Sequence, residues 1–371
     1  MLNREGPGGD DIISALGHRD RIAGIDLFGL SKRQLKRCAA LMQEPFQSLR
    51  NLRLSCCAEV RDVPVITDMF LGGSAPRLQV IELRHIPFPT LPKLLLSAND
   101  LVHLSLEDIK RAGYISPDVM ATCLAMLTRL NSLNITFRSR RSFPNRTIRH
   151  TPLTRAILPV LKVFVFEGVS EYSEELMARI DAPLLDFLRL KFFYQPVFDI
   201  PQVPQFIRRI EKFKPPIEAM VEVQFFSNAV GVLLVPVSPG FYYLLHCTGR
   251  DRQLSSLDQI FAQYSSIFSH AVELDLNWSG GPQVNQSMSL LGCLRLFNSV
   301  QVLHVSDRNE ELAVCISRVL GEVDGEGAGE VLPMLHTLTF IRFHSNHGVV
   351  IPLLKPFLDA RQQSGHPVTV R

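Results

Sequence analysis

The chain has 371 residues, of which 46% are hydrophobic and 20% charged, a composition that excludes a disordered chain and indicates one that forms a core. The 39 basic and 36 acidic residues leave a formal net charge of only +3, which argues against a dedicated nucleic-acid-binding protein. None of the seven cysteines forms a Cys-x-x-Cys pair, so the sequence predicts reduced thiols in a cytoplasmic or nuclear protein, with neither a zinc site nor a disulfide framework.

The N-terminal segment, residues 1–21, is rich in glycine and aspartate and carries no apolar stretch of the kind that a signal peptide needs. We therefore expect a flexible segment there and a protein that is not secreted. No apolar run elsewhere approaches the length of a membrane-spanning helix, and the best one, Ala229–Val237, contains a proline. The sequence predicts no membrane association.

A six-residue frame of the form apolar-x-x-apolar-x-apolar recurs along almost the whole chain. The frames begin at Ile22, Leu49, Leu78, Leu101, Leu130, Leu161, Leu185, Met220, Ala271, Val300 and Leu335. Successive starts are 23 to 51 residues apart, and most spacings lie near the period of leucine-rich repeats. The fourth and sixth positions alternate with a polar fifth position, as a strand with one buried face requires. Each frame therefore predicts a β-strand, with residues such as Leu104 and Leu303 buried.

Helical signals fill the intervals between the frames. Ser31 and Gln34 form a capping box that opens a helix through Gln43, and Ser116 followed by Pro117 opens another. Similar helices are predicted from Ser173 and over Ser256–Phe268, Glu310–Val319 and Val350–Ala360. The longest interval, of 51 residues, is different, because two apolar runs within residues 226–250 surround a Pro/Gly-rich turn and predict a β-hairpin.

Alternating strands and helices at this period predict the α/β class and, within it, a right-handed leucine-rich-repeat solenoid of about eleven repeats. Residues 22–371 would form that single solenoid, with residues 226–250 as a hairpin insertion and residues 321–330 as a flexible acidic loop. The repeats lack a regular asparagine at their ninth position, so we expect an irregular horseshoe. Each repeat would bury its leucines only against its neighbours.

Several segments carry a family resemblance. They read IDLFGL from Ile25, FLGGSAPRL from Phe70, IDAPLL from Ile180 and PFLDAR from Pro356. In these segments the chain resembles the leucine-rich-repeat portions of fungal F-box-like proteins. The resemblance implies a substrate-recognition module of the kind that an F-box tethers to a Skp1–cullin ubiquitin ligase. The residues before Ile22 are too few and too polar for an F-box, so we expect no F-box in this chain and no direct binding to Skp1.

The fifth and seventh positions of the frames point away from the buried face and are mostly polar. We expect them on the concave surface of the sheet, where adjacent parallel strands lie about 4.8 Å apart. The candidate partner-binding residues come from the frames beginning at Leu185, Met220 and Ala271, and are Arg189, Lys191, Gln224, Phe226, Asp275 and Asn277. The alternative is a solvated face whose opposite charges pair across strands, as in Asp26, Arg53 and Glu82.

A basic segment, residues 138–155, contains no acidic residue. Its candidate contact residues are Arg138, Arg140, Arg141, Arg146 and Arg149. Such a segment would bind nucleic acid, a phosphate group or an acidic protein surface, and the alternative is a solvated, mobile loop.

Catalytic and cofactor motifs are missing from the sequence. Gly321–Glu330 is glycine-rich but acidic and lacks the lysine of a phosphate-binding loop, and His344 and His347 have no second pair of ligands. We therefore expect no enzyme activity, no cofactor and no metal. The sequence predicts a non-catalytic protein–protein interaction module with an unknown protein partner. The alternative function is binding of nucleic acid or an acidic ligand through the basic segment.

Overall fold

A computed structural model describes most of the chain. The described residues are 16, 19–58, 63–143, 154–193, 199–211, 219–226, 229–236, 242–248, 253–278, 287–307, 311–323, 327–341 and 347–371. Contacts divide the chain into two compact units. The first comprises Met1–Phe187 with Arg209–Lys212, and the second comprises Leu188–Arg208 with Phe213–Arg371.

The first unit consists of parallel strands that alternate with helices and 3-10 turns. In chain order its strands and helices are β1 (Gly24–Leu30), α1 (Lys32–Leu41), β2 (Asn51–Cys56), β3 (Val80–Arg84), α2 (Leu91–Leu95), β4 (His103–Ile109), α3 (Pro117–Met126), β5 (Ser132–Phe137), β6 (Ala156–Ile157), β7 (Val163–Gly168), α4 (Ser170–Met177) and β8 (Ile180–Asp181). Strands β1 to β5 and then β7 pair in parallel with their neighbours in chain order. Strands β6 and β8 form a separate parallel pair.

The register of this sheet follows the apolar frames. Leu104 on β4 lies opposite Ile81 on β3 and Leu133 on β5, and all three side chains are fully buried. Because side chains alternate between the faces of a strand, this register places the fourth and sixth frame positions together in the core. The predicted burial of these positions is confirmed here, and equally for Leu303 in the second unit.

Helix α1 begins where the sequence predicts. The Ser31 hydroxyl accepts a hydrogen bond from the backbone N–H of Gln34 at 3.3 Å, and the Gln34 side chain accepts one from the backbone N–H of Ser31 at 2.9 Å. The capping box is therefore confirmed, and it satisfies two backbone donors that a helix start would otherwise leave unpaired.

Two bulges break the regular pairing at the carboxyl ends of β1 and β4. Gly29 and Asp108 have positive φ angles of 66° and 56°, which bend the strand away from its partner. The freed N–H groups donate to hydroxyls on the next strand: Gly29 to Ser55 Oγ at 3.0 Å and Asp108 to Thr136 Oγ1 at 3.1 Å. Since each hydroxyl replaces a ladder hydrogen bond, the backbone stays satisfied at this edge of the sheet.

The second unit has a mixed sheet. Its strands and helices are β9 (Phe187–Phe192), α5 (Gln202–Arg208), β10 (Ala219–Phe225), β11 (Ala229–Pro236), β12 (Tyr242–Thr248), α6 (Gln253–Phe268), β13 (Ala271–Trp278), α7 (Ser287–Leu294), β14 (Val302–Asp307), α8 (Glu311–Gly321), β15 (Thr337–Ile341), α9 (His347–Gln363) and β16 (Thr369–Val370). The strand order is β9, β12, β11, β10, β13, β14, β15, β16. Strands β10, β11 and β12 pair antiparallel, whereas β10, β13, β14, β15 and β16 pair in parallel.

The prediction of a right-handed leucine-rich-repeat solenoid is wrong. The structure is a mixed α/β architecture, with nine helices in the described part of the chain and with antiparallel strands β11 and β12 inside the strand order of a parallel sheet. The physical reason lies in the connection between β10 and β11, which is only three residues long. A parallel neighbour needs a crossover of a dozen or more residues, so the chain reverses here instead. The two apolar runs of residues 226–250 do pair as a hairpin, but their strands are internal to the sheet.

Four predicted segments lie partly outside the described residues. Of the hairpin segment 226–250, residues 227–228, 237–241 and 249–250 are outside. Of the N-terminal segment, residues 1–15 and 17–18 are outside, and Arg19–Arg21 form a 3-10 turn. The acidic segment 321–330 starts at Gly321, the last residue of α8, and contains a 3-10 turn at Gly327–Gly329. Its residues 324–326 lie outside the described residues. Arg146 and Arg149 of the basic segment, and His344, also fall outside.

Helix α9 is anchored by a buried cation. Arg361 is only 1% exposed, and its Nη2 donates to the carbonyls of Pro333 and Leu335, both at 2.9 Å. The guanidinium lies 6.0 Å from the centre of the Phe357 ring, and burial lowers its pKa. These contacts bind the helix to the turn that precedes β15.

Candidate functional site: a polar row on the second unit

Three of the six predicted partner-binding residues lie together on the sheet of the second unit. Gln224 on β10 is the register partner of Asn277 on β13, and Asp275 lies two residues before Asn277 on the same face. The face continues on β14, where His304 is the register partner of Asp275. We call this set the polar row; its members are Glu222, Gln224, Asp275, Asn277, His304 and Ser306.

The strand alternation that creates the polar row is strict. Along β10, half-buried Met220, Glu222 and Gln224 alternate with buried Val221 and Val223. Because the buried side chains pack in the core, the polar side chains between them must point to the opposite face.

The other three predicted residues lie elsewhere. Arg189 is exposed and Lys191 half-buried on β9, and two strands, β12 and β11, separate β9 from β10. At about 4.8 Å per strand, they are roughly 14 Å from the polar row across the sheet. Phe226 follows the end of β10, half-buried, and its N–H donates to the Ala229 carbonyl at 2.9 Å. The structure therefore does not bring Arg189 and Lys191 into one patch with Gln224.

Three members of the polar row, Glu222, His304 and Ser306, were absent from the predicted site. The frame that begins at Met220 aligned Gln224 with Asp275, whereas the structure pairs Glu222 with Asp275. This is a register error of two residues, which preserves the face but moves the row. A frame that began two residues earlier would place Glu218 at its apolar first position, so the frame pattern contained no signal for the correct register.

The polar row contains two carboxylates on adjacent strands. Burial raises the pKa of Asp275, the neighbouring charge of Glu222 raises it further, and His304 opposes the shift. Asp275 Oδ1 and His304 Nδ1 are inaccessible to water and have no hydrogen-bond partner within the described part of the chain. Glu222 Oε1 accepts a hydrogen bond from Gln224 Nε2 at 2.6 Å. The row thus presents negative charge and open hydrogen-bonding capacity.

The equivalent face of the first unit is different, because its charges pair with each other. Arg53 lies 3.7 Å from Asp26 and 2.9 Å from Glu82, and His103 Nε2 lies 3.6 Å from the same Glu82 carboxylate. This is the cross-strand charge pairing that the sequence offered as the alternative to a binding surface, and it is confirmed for this triplet. On this face Arg53 already pairs with both carboxylates, so a partner's cation has less unbalanced charge to contact.

Among the residues that the structure describes, no group of three or more His, Cys, Asp and Glu side chains is arranged to hold a metal ion. No helix in that part of the chain is both long enough and apolar enough to span a lipid bilayer. Comparison of the chain with models of known protein families, with curated proteins and with solved structures finds no match. The structure assigns the chain to the class of mixed α/β proteins.

We predict that the charged Asp275 carboxylate lowers the stability of the free protein at neutral pH. Replacing Asp275 with asparagine should stabilise the free protein at pH 7 by about 0.5–1 kcal/mol, a value kept small because solvent screens a half-buried group. Because the folded-state pKa of Asp275 is raised, the protonated form favours the folded state. This contribution to the free energy of unfolding is present at acidic pH and is lost as the pH rises through the folded-state pKa. The gain of D275N should therefore shrink as the pH falls towards the ordinary pKa of aspartate. Thermal unfolding of both proteins at several pH values measures this; a gain that grows in acid would contradict it.

Proposed function

We propose that this protein is a non-catalytic protein–protein interaction module, and that its polar row binds a cationic segment of a partner protein. The observation that carries the proposal is the pairing of Glu222 with Asp275 on adjacent strands, where no lysine or arginine of the described residues forms an ion pair with either carboxylate. A lysine or arginine from a partner would relieve the repulsion between these carboxylates.

Rigid strands favour such binding. Side chains on paired strands lose little conformational freedom when a partner arrives, so less of the interaction energy is spent on ordering them. The resemblance of several segments to fungal F-box-like proteins supports a role in substrate recognition. A cytoplasmic or nuclear location is part of the proposal, because the described cysteines are free thiols, as expected in a reducing compartment.

The test uses the full chain and a labelled oligolysine peptide, with fluorescence anisotropy as the readout. Neutralising the row with E222Q and D275N together should weaken binding about tenfold, because two attractive charge pairs are lost. The matched control neutralises two exposed glutamates of the same unit, E322Q and E330Q, and should leave the affinity within about twofold. An unchanged affinity in the row variant, or an equal loss in the control, would refute binding at the row.

A further inference from the structure

A second charged surface lies at the carboxyl ends of the strands in the first unit. Parallel strands in register end at the same edge of a sheet, so residues that end or follow β3, β4 and β5 come together. We call this set the cationic edge; it consists of Arg84, Lys110, Arg111, Arg138, Arg140 and Arg141. The 3-10 turns Arg111–Gly113 and Arg140–Ser142 contact each other, and Arg138 Nη1 reaches the carbonyl of Ala58 beyond β2 at 3.4 Å.

Acidic residues balance only part of this charge. Arg84 lies 3.6 Å from Glu107 and 3.4 Å from Asp108. Arg111, Arg140 and Arg141 are exposed and make no ion pair within the described part of the chain. Buried His85 lies 3.3 Å from Asp108. Burial lowers the pKa of His85, and the positive charges of Arg84, Arg138 and Lys110 lower it further, whereas Asp108 raises it.

The two turns that carry Arg111, Arg140 and Arg141 lie next to a cluster of packed aromatic side chains. Tyr114 and Phe143 follow the turns directly, with ring centres 6.0 Å apart, and both pack against Phe137 and Tyr172. Gly113 packs so closely on Pro87 that an added Cβ would lie 3.0 Å from its Cα. The backbone of both turns is therefore held in place, which fixes the Cα positions of the arginines before any ligand arrives.

We propose that the cationic edge binds an acidic, carboxylate-rich segment of a partner protein. Guanidinium groups bind carboxylates through two parallel hydrogen bonds, and four arginines from two adjacent strand ends offer several such sites along one extended segment. This proposal rests on the proposed role in protein binding and adds a surface separate from the polar row.

Two observations favour a peptide over a nucleic acid. The rings of Tyr114 and Phe143 pack against each other and their neighbours and are half-buried, which limits the ring surface that bases could stack on at this edge. The chain as a whole carries a net charge of only +3, without the basic excess usual in nucleic-acid binders.

The experiment measures binding of a labelled oligoglutamate peptide to the full chain by fluorescence anisotropy. The double variant R140Q/R141Q should weaken binding about tenfold, because each lost charge-assisted contact lowers affinity severalfold. The matched control removes two exposed cations of helix α1 with R33Q/K36Q and should change the affinity by less than about twofold. Neither double variant alters a buried residue, so a melting temperature equal to that of the wild type is expected for both.

The same proteins are then titrated with oligouridylate RNA and with the oligolysine peptide. Tighter binding of RNA than of oligoglutamate, lost in R140Q/R141Q, would overturn the proposal in favour of a nucleic-acid site. No binding of oligoglutamate by the wild type, or equal losses in the two double variants, would also overturn it. Retained oligolysine binding by R140Q/R141Q is expected, because the polar row is unaltered; a failure of oligolysine binding in all proteins would count against the polar row alone.

Discussion

Replacing Gly321 with alanine should destabilise the second unit by about 3 kcal/mol or more, the upper range of overpacking effects. Gly321 is the last residue of α8, and a Cβ at this position would lie 1.9 Å from the carbonyl oxygen of Leu353 in α9. Both atoms belong to or directly adjoin helix backbones, so no side-chain rotation can remove the clash. One helix must shift, and the contacts that α8 and α9 make with each other would be lost.

Gly329 offers the matched control, because an added Cβ there has no neighbour within 4 Å. G329A should change the free energy of unfolding by less than about 0.5 kcal/mol, as is usual for surface substitutions. Denaturant titration followed by the fluorescence of Trp278 reports on this unit, since the single tryptophan is buried beside Phe225 at a ring distance of 5.0 Å. Equal stability of G321A and G329A would mean that α8 and α9 do not approach as described.

Replacing Leu104 with alanine should lower the stability of the first unit by roughly 2–5 kcal/mol. Leu104 is 0% exposed and lies between Ile81 and Leu133, which belong to paired strands and cannot easily move into the space. The same change at Leu303, equally buried on β14, should have a similar effect in the second unit. Differential scanning calorimetry measures L104A, and Trp278 fluorescence measures L303A.

Leu96 and Val349 are suitable controls, because they are 48% and 52% exposed. L96A and V349A should each cost less than about 1 kcal/mol. If L104A were no more harmful than L96A, the assignment of the fourth frame position to the core would be wrong.

The apolar frames predicted strands and their buried faces correctly because alternation is a local property. Alternation along one strand predicts which face of the sheet a side chain such as Leu104 lies on, and no knowledge of the neighbouring strand is needed. The capping box at Ser31 is local in the same sense, since both hydrogen bonds close within three residues. Register is a property of two strands, and the frame at Met220 therefore aligned Gln224 with Asp275, whereas the structure pairs Glu222 with Asp275.

The candidate site depended on this distinction. Arg189 and Lys191 were grouped with Gln224 because their frames are consecutive along the chain, but β11 and β12 lie between β9 and β10. The cationic edge was predicted only in part: Arg138, Arg140 and Arg141 stood out as a run of arginines, whereas Arg84 and Arg111 join them through the parallel register of three strand ends.

By itself, the sequence determined that the fourth and sixth frame positions are buried, where α1 begins, and that strands and helices alternate, since each follows from periodicity or from contacts a few residues apart. The tertiary structure alone decided the strand order, the antiparallel strands inside a parallel sheet, and the positions of the two charged surfaces. The reason is physical: the three-residue connection after β10 forces a reversal, and the pairing of distant strands then determines which charges become neighbours.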